Sequence, residues 1–491
     1  MTSLKQYIFT VFIAILSFFL HIACTDDDSF TTSSSNILTF STDTVKLDTV
    51  FSKVPTPTYS FWVYNKSGDG LRCSRVRLNN GNQTGFRVNV DGEYLSPTAG
   101  YQVQDVEIRD KDSIRVFVEL TSPENGVNGP QKIEDNLIFT LESGVEQKVN
   151  LCAYTWDATM MKNVIVTNDM TLDGRDKPIV IYGMMKVAEN ATLNIMPGTT
   201  LYFHSDAGIE VNGSLNAIGT AEENIVLRGD RTDHMFDYLP YDMVSGQWQG
   251  LRFTKSSYNN VMKYVDLHGS FDGIVCDSSN VNIDKLELSS CTVHNCQGYG
   301  LKIVNSKVNI SNSQITNTLN NCVGVFGGDV TLNHCTIAQF YPFDSKRGPA
   351  LAYTNILDNE AIPLLRMDCI NSIVTGYAND QIDGRNIGDE TTLFNFRFIN
   401  SILRTPQTED EEHIFNTWFE NVEDTAAIDG DRHFKLVNIN KQRYDFHLSD
   451  KSSAIDSANV EFSLPLDRDG NKRDDRPDIG CFEFFKESNE E

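Results

Sequence analysis

The sequence feature that most constrains the fold is a long, unequal repeat between residues 262 and 403. With Val265, Cys291, Ser313, Cys335, Ser372 and Ser401 as reference positions, successive spacings are 26, 22, 22, 37 and 29 residues. Three residues before each stands Met262, Leu288, Ile310, Leu332, Cys369 or Phe398; two after each stands Leu267, Val293, Ile315, Ile337, Val374 or Leu403. Five before most of them is another apolar residue: Leu286, Val308, Val330, Met367 or Phe396. Positions −5 and −3 alternate as a strand requires, and so do 0 and +2, but the step from −3 to 0 is odd. A corner must fall there. Asn312, His334, Asn371 and Asn400 immediately precede four of the reference positions, and Asn tolerates the left-handed backbone that a sharp corner often needs.

Each repeat therefore reads as two short strands meeting at a bend, and 22 residues or more leave room for a third strand that closes a rung. Stacked rungs pair each strand with its counterpart at ~4.8 Å and bury the inward residues in one continuous core. Residues 191–201 and 208–217 fit the same pattern, with Pro197, Gly198 and Gly213 at turns. The expected fold is all-β, with a parallel β-helix over residues 160–445, about twelve rungs and roughly 55 Å long. Residues 36–155 alternate with period two in Tyr59-Phe61-Val63, Ile114-Val116-Val118-Leu120 and Val149-Leu151-Ala153, between turn-rich breaks such as Asn79-Asn80-Gly81. This predicts an N-terminal β-sandwich of the general immunoglobulin-like kind, without a Cys-Trp-Cys signature.

Lys5 precedes an apolar run from Tyr7 to Leu20, too short to span a bilayer, and Ala23-Cys24 follows. Residues 1–23 thus read as a secretory signal, and Leu20-His21-Ile22-Ala23-Cys24 resembles a bacterial lipobox. That resemblance implies a lipid on Cys24 and a membrane partner. The pattern departs from the family at His21, and plain cleavage without lipid is the alternative. The run Thr25-Asp26-Asp27-Asp28 resembles a surface-export signal and opens a Ser/Thr-rich tether over residues 24–35, which implies an outer-membrane protein facing the cell exterior. A net charge of −26 argues against nucleic-acid partners, and polyanionic glycans would need a bridging cation such as Ca²⁺. Neutral polysaccharides or surface proteins are easier partners. Of ten cysteines, nine remain after Cys24; they read mainly as small buried hydrophobes, with Cys73 and Cys152 the pair to test for a bridge.

The rung segments, with Gly246-Gln247-Trp248-Gln249-Gly250-Leu251, resemble right-handed parallel β-helix repeat proteins of the pectin-lyase-like class. The resemblance implies a right-handed solenoid but no single activity, because lyases, hydrolases, esterases and non-catalytic adhesins share it. The C-terminus, through Tyr444-Asp445-Phe446-His447-Leu448 and Asp478-Ile479-Gly480-Cys481-Phe482, resembles choice-of-anchor Q surface proteins. Residues 446–491 are read as a cap and tail at the open end of the solenoid.

Insertions between rungs often carry the binding face. The first, with Asp230, Asp233, His234 and nearby Trp248, combines carboxylates, imidazole and aromatics as a sugar- or cation-binding loop would. The second holds Lys346 and Arg347, which could supply the base or charge of a uronate lyase. The third, residues 380–390, and the fourth, Asp467 to Asn471, read as surface and cap turns; the latter has Gly at position four, not six, so it is not an EF-hand. Asp266 and His268 alternate with core residues and should face outward on one strand. No metal ligands are singled out, and solvated loops are the alternative for each insertion. Two function classes stay open: a surface β-helix that binds carbohydrate or protein, and a polysaccharide lyase or glycoside hydrolase. A purely structural role in a surface assembly is a third.

Overall fold

A computed structural model describes residues 29–423 and 432–486. The signal segment 1–23, Cys24 and the start of the tether lie outside the described residues. The chain divides into two compact units at Trp156/Asp157.

The first unit is built from two five-stranded sheets. One orders Leu38–Phe40, Tyr59–Asn65, Ser113–Leu120, Phe86–Val90 and Glu93–Tyr94; the other orders Thr44–Phe51, Glu146–Trp156, Gln131–Leu141, Leu71–Leu78 and Gln102–Ile108. All pairings are antiparallel except Thr44–Phe51 with Glu146–Trp156. The inward residues of both sheets, including Val63, Val76, Val116, Leu137 and Leu151, form one core, as a sandwich requires. Cys73 and Cys152 lie on strands separated by Gln131–Leu141 and are free thiols, so the bridge posed from sequence is not formed.

The second unit is a parallel β-helix. Three parallel sheets of eleven, nine and ten strands run its length, each strand paired with its counterpart one rung away. The repeat predicts the register: Leu288, Ile310, Leu332, Cys369 and Phe398 are successive partners in one inward column. The predicted corners are left-handed, with φ between 44° and 52° at Asn312, His334, Asn371 and Asn400; Tyr264 and Ser290 turn the same corner in earlier rungs. The reference positions themselves are more than small hydrophobes. A corner breaks the backbone ladder, and the reference side chain of the next rung accepts the orphaned N–H. Val265 N donates to Cys291 Sγ (3.4 Å), Cys291 N to Ser313 Oγ (3.1 Å), Cys335 N to Ser372 Oγ (3.0 Å) and Ser372 N to Ser401 Oγ (3.2 Å). A compact acceptor serves there, which accounts for Ser or Cys at every reference position from Cys291 onward.

The C-terminal segment differs from its predicted role. It does not sit over an open end but lies along the flank of the eleven-stranded sheet, where Phe446, Leu448, Ile479 and Cys481 pack with Ala338, Phe340, Ile373 and Ile402. It then runs back along the corner column: Asn459 N donates to Asn371 Oδ1 (2.8 Å), Asn333 Nδ2 to Phe462 O (2.8 Å), Asn312 Nδ2 to Leu466 O (2.7 Å), and Arg468 Nη2 to Asn224 Oδ1 (2.9 Å). Three outward apolar residues in adjacent strands, Ala338, Ile373 and Ile402, make a face that must be covered, and the segment covers it.

Candidate functional site

On the outer face of the eleven-stranded sheet, the column of Asp266, Thr292 and Gln314 runs beside that of His268, His294, Thr316 and Ala338. From Ala338 onward the C-terminal segment covers this face; before it a groove of about 480 Å³ stays open, lined by Asp242, Asp266, His268, His294, Tyr444 and His447 among others.

His268 is the centre of an ion network. Its Nδ1 lies 2.9 Å from Asp266 Oδ1 and its Nε2 lies 2.8 Å from Asp242 Oδ1, while Arg228 Nη2 reaches the same Asp242 oxygen at 2.9 Å. Burial disfavours the imidazolium, but the two carboxylates outweigh it and hold the His268 pKa up at about 10. Both carboxylates are held below their ordinary range: burial opposes ionisation, and the His268 charge overcomes it. One rung on, His294 behaves oppositely. Burial and the neighbouring His268 charge push its pKa down to about 4, so at neutral pH a charged and an uncharged imidazole stand on adjacent strands. His294 Nδ1 is 2.7 Å from Thr316 Oγ1, and its ring meets Tyr444 and Phe446 edge to face. On the opposite wall, His447 bridges Asp445 (2.6 Å) and Asp469 (2.8 Å), and the side-chain hydrogen bond to Asp469 leads in raising its pKa.

The candidates from sequence scatter around this groove. Asp266 and His268 line it. Asp230 and Asp233 lie at the root of the first insertion, paired with His204 (2.8 Å) and Arg231 (2.6 Å). His234 is exposed on the short hairpin His234–Phe236/Leu239–Pro240. Trp248 is not a ligand-facing aromatic: it is fully buried, stacked on Phe203 at 4.2 Å, and donates Nε1 to His268 O (2.9 Å). A rung enlarged by an insertion needs a large side chain to fill its interior, and Trp248 does this. Lys346 is on the exposed second insertion; Arg347 donates to Tyr341 O and lies over Tyr377, 4.6 Å from its centroid. The two insertions touch where Ser245 and Tyr341 hydroxyls meet at 2.7 Å. Sequence reading missed Asp242, His294 and the whole C-terminal wall. Among the described residues no group of three or more His, Cys, Asp or Glu side chains is disposed to hold a metal.

Residues 159–339 match the family described as right handed beta helix region, so the solenoid is right-handed. No curated protein matches the chain. Among solved structures, pectate lyase Pel9A is similar at 12% identity and a TM-score of 0.28, covering 67% of this chain and 87% of that one. A protein of unknown function from Porphyromonas gingivalis W83 is similar at 16% identity and a TM-score of 0.18, covering 28% of this chain and 60% of its own. A family 123 glycoside hydrolase from Clostridium perfringens is similar at 9% identity and 0.16, covering 24% and 26%. The chain therefore spans about 60% of the Porphyromonas gingivalis protein and about a quarter of the hydrolase when each is measured along its own length. These likenesses carry no inference about activity.

Proposed function

We propose that this protein is an outer-membrane lipoprotein, tethered through Cys24, whose β-helix binds carbohydrate at the cell surface without cleaving it. One observation carries the reading: the His268 ring is clamped between the Asp242 and Asp266 carboxylates, at 2.8 and 2.9 Å. With a pKa of about 10, His268 keeps its proton near neutral pH, and with a pKa of about 4, His294 does not take one up; a general acid or base works best near the ambient pH. The His268 ring also lies between Asp242 and Asp266, in the space that a water or sugar would need between a hydrolytic carboxylate pair. A shallow groove with polar groups on its floor and aromatic rings on one wall suits hydroxyl-rich chains.

A second reading is a polysaccharide lyase or glycoside hydrolase. It is favoured by the convergence of Arg228, Asp242, Asp266, His268 and His294 from consecutive rungs, since charged clusters of this kind often mark active sites. One experiment separates the two. The full-length protein is screened on a glycan array with and without Ca²⁺, and every polysaccharide bound is incubated and followed by reducing-end and unsaturated-uronate assays. Binding without new ends or absorbance is the expected result, and cleavage at the rate of an enzyme would overturn it.

A further inference from the structure

Resting on that binding reading, we propose that the groove selects uncharged sugar units over uronates, and that His294 sets the selection by donating its Nε2–H to a sugar oxygen. The tautomer follows from counting protons. Thr316 Oγ1 is fully buried and accepts from Gln314 Nε2 at 3.1 Å; its other partner is His294 Nδ1 at 2.7 Å. A hydroxyl has one proton to give, and a buried one gives it, so Thr316 donates to Nδ1. The uncharged His294 ring must then carry its own proton on Nε2. That atom has no partner among the described residues, is not sealed from solvent, and belongs to a side chain lining the groove. It is a fixed donor without an acceptor.

The charges around it decide what may approach. Four carboxylates face the region, and each is already matched: Asp242 by Arg228 and His268, Asp266 by His268, and Asp445 and Asp469 by His447. Neither remaining nearby cation lines the groove: Arg468 is held by Asn224 and Thr292 and lies 3.9 Å from Asp469, and Arg347, whose charge reaches Tyr444, is held by Tyr341 O and Asp344 O and lies over Tyr377. A uronate would bring a fifth carboxylate beside four others with no unmatched cation in the groove lining to meet it, and burying an unpaired charge among like charges is how a site rejects a ligand. A neutral sugar meets no such opposition. Its oxygens accept from His294 Nε2–H, and its hydroxyls donate to the part-exposed carboxylate of Asp266, while the Tyr444 and Phe446 rings, stacked at 5.8 Å, wall the apolar side.

The test uses matched polymers: galactan, mannan and a soluble β-glucan, each beside its derivative oxidised at the primary alcohol to a uronate. Binding to the full-length protein is measured by calorimetry for wild type, His294→Phe, which keeps a ring but removes the donor, and His294→Gln, which keeps an N–H. At least one neutral polymer should bind tenfold or more tightly than its oxidised partner. His294→Phe should weaken that binding at least tenfold, His294→Gln should stay within threefold of wild type, and ¹⁵N spectra of the free protein should show an Nε2–H tautomer at His294. Equal or preferred binding of the oxidised polymers, an Nδ1–H tautomer, or full affinity in a folded His294→Phe variant would each overturn the inference while leaving the binding reading intact. Failure of wild type to bind any of the six polymers or any array glycan would overturn both.

Discussion

Substituting Asp266 by Asn removes one of the two carboxylates that keep His268 charged, and the consequence can be sized from the network. The rise of the His268 pKa from 6.5 to about 10 corresponds to about 5 kcal/mol favouring the imidazolium at ~1.4 kcal/mol per unit. Asp242 and Asp266 are 35% and 38% exposed, so water screens them and the realised contribution is about 2 to 3 kcal/mol. His268 is raised in the folded state; its stabilisation is therefore fully present below pH 6.5 and lost as pH climbs through about 10. The assay is a pH titration of histidine ring signals by NMR, with His268→Gln identifying the resonance among nine histidines. In wild type the His268 signal should not move below pH 8.5. In Asp266→Asn its midpoint should fall by a unit or more, and the urea midpoint measured at pH 7 should fall with it. A wild-type midpoint near 6.5 would refute the reasoning, because His268 would then be free to exchange protons and the argument against catalysis would lose its basis.

Three further outcomes follow from packing. Trp248→Ala leaves a void against Phe203 and strands the His268 carbonyl, and should cost about 3 to 5 kcal/mol in denaturant unfolding of the second unit. At the corner, Asn371→Gly keeps the left-handed turn but loses the bonds to Asn459, costing about 1 to 2 kcal/mol, whereas Asn371→Ala should cost about 1 kcal/mol more, read by thermal melting. Lys285, fully buried, donates to Thr254 O (2.7 Å) and Ser257 O (3.1 Å); Lys285→Met would strand the Ser257 carbonyl and leave Thr254 O only the Ser257 N–H, and should lower stability by about 1 to 3 kcal/mol in the same denaturant assay.

The solenoid was legible because a rung repeats its constraints. The odd step from −3 to 0 locates the corners from the sequence alone, and the inward columns through Leu288 and Leu267 pair as spaced. The same alignment held a signal not used: His268 and His294 both stand three residues after their reference positions, so reading the outward columns across rungs would have joined them. Asp242 had no such marker, since it comes from a turn within an insertion and reaches His268 only through the fold. The flanking C-terminal segment was misplaced for a related reason. Ala338, Ile373 and Ile402 are outward apolar residues that call for a cover, but Phe446 and Ile479 lie far away in sequence, and no local periodicity links them to that face. Trp248 looked like a binding aromatic because a motif in an insertion says nothing about which way a ring points.

The most direct test of the central claim is the combined array and degradation screen on the full-length protein. Binding of one or more neutral glycans, with no new reducing ends and no unsaturated-uronate absorbance on prolonged incubation, is the predicted result. Catalytic release of products from any bound polysaccharide, abolished by His268→Gln or His294→Phe, would contradict it and make the groove an active site.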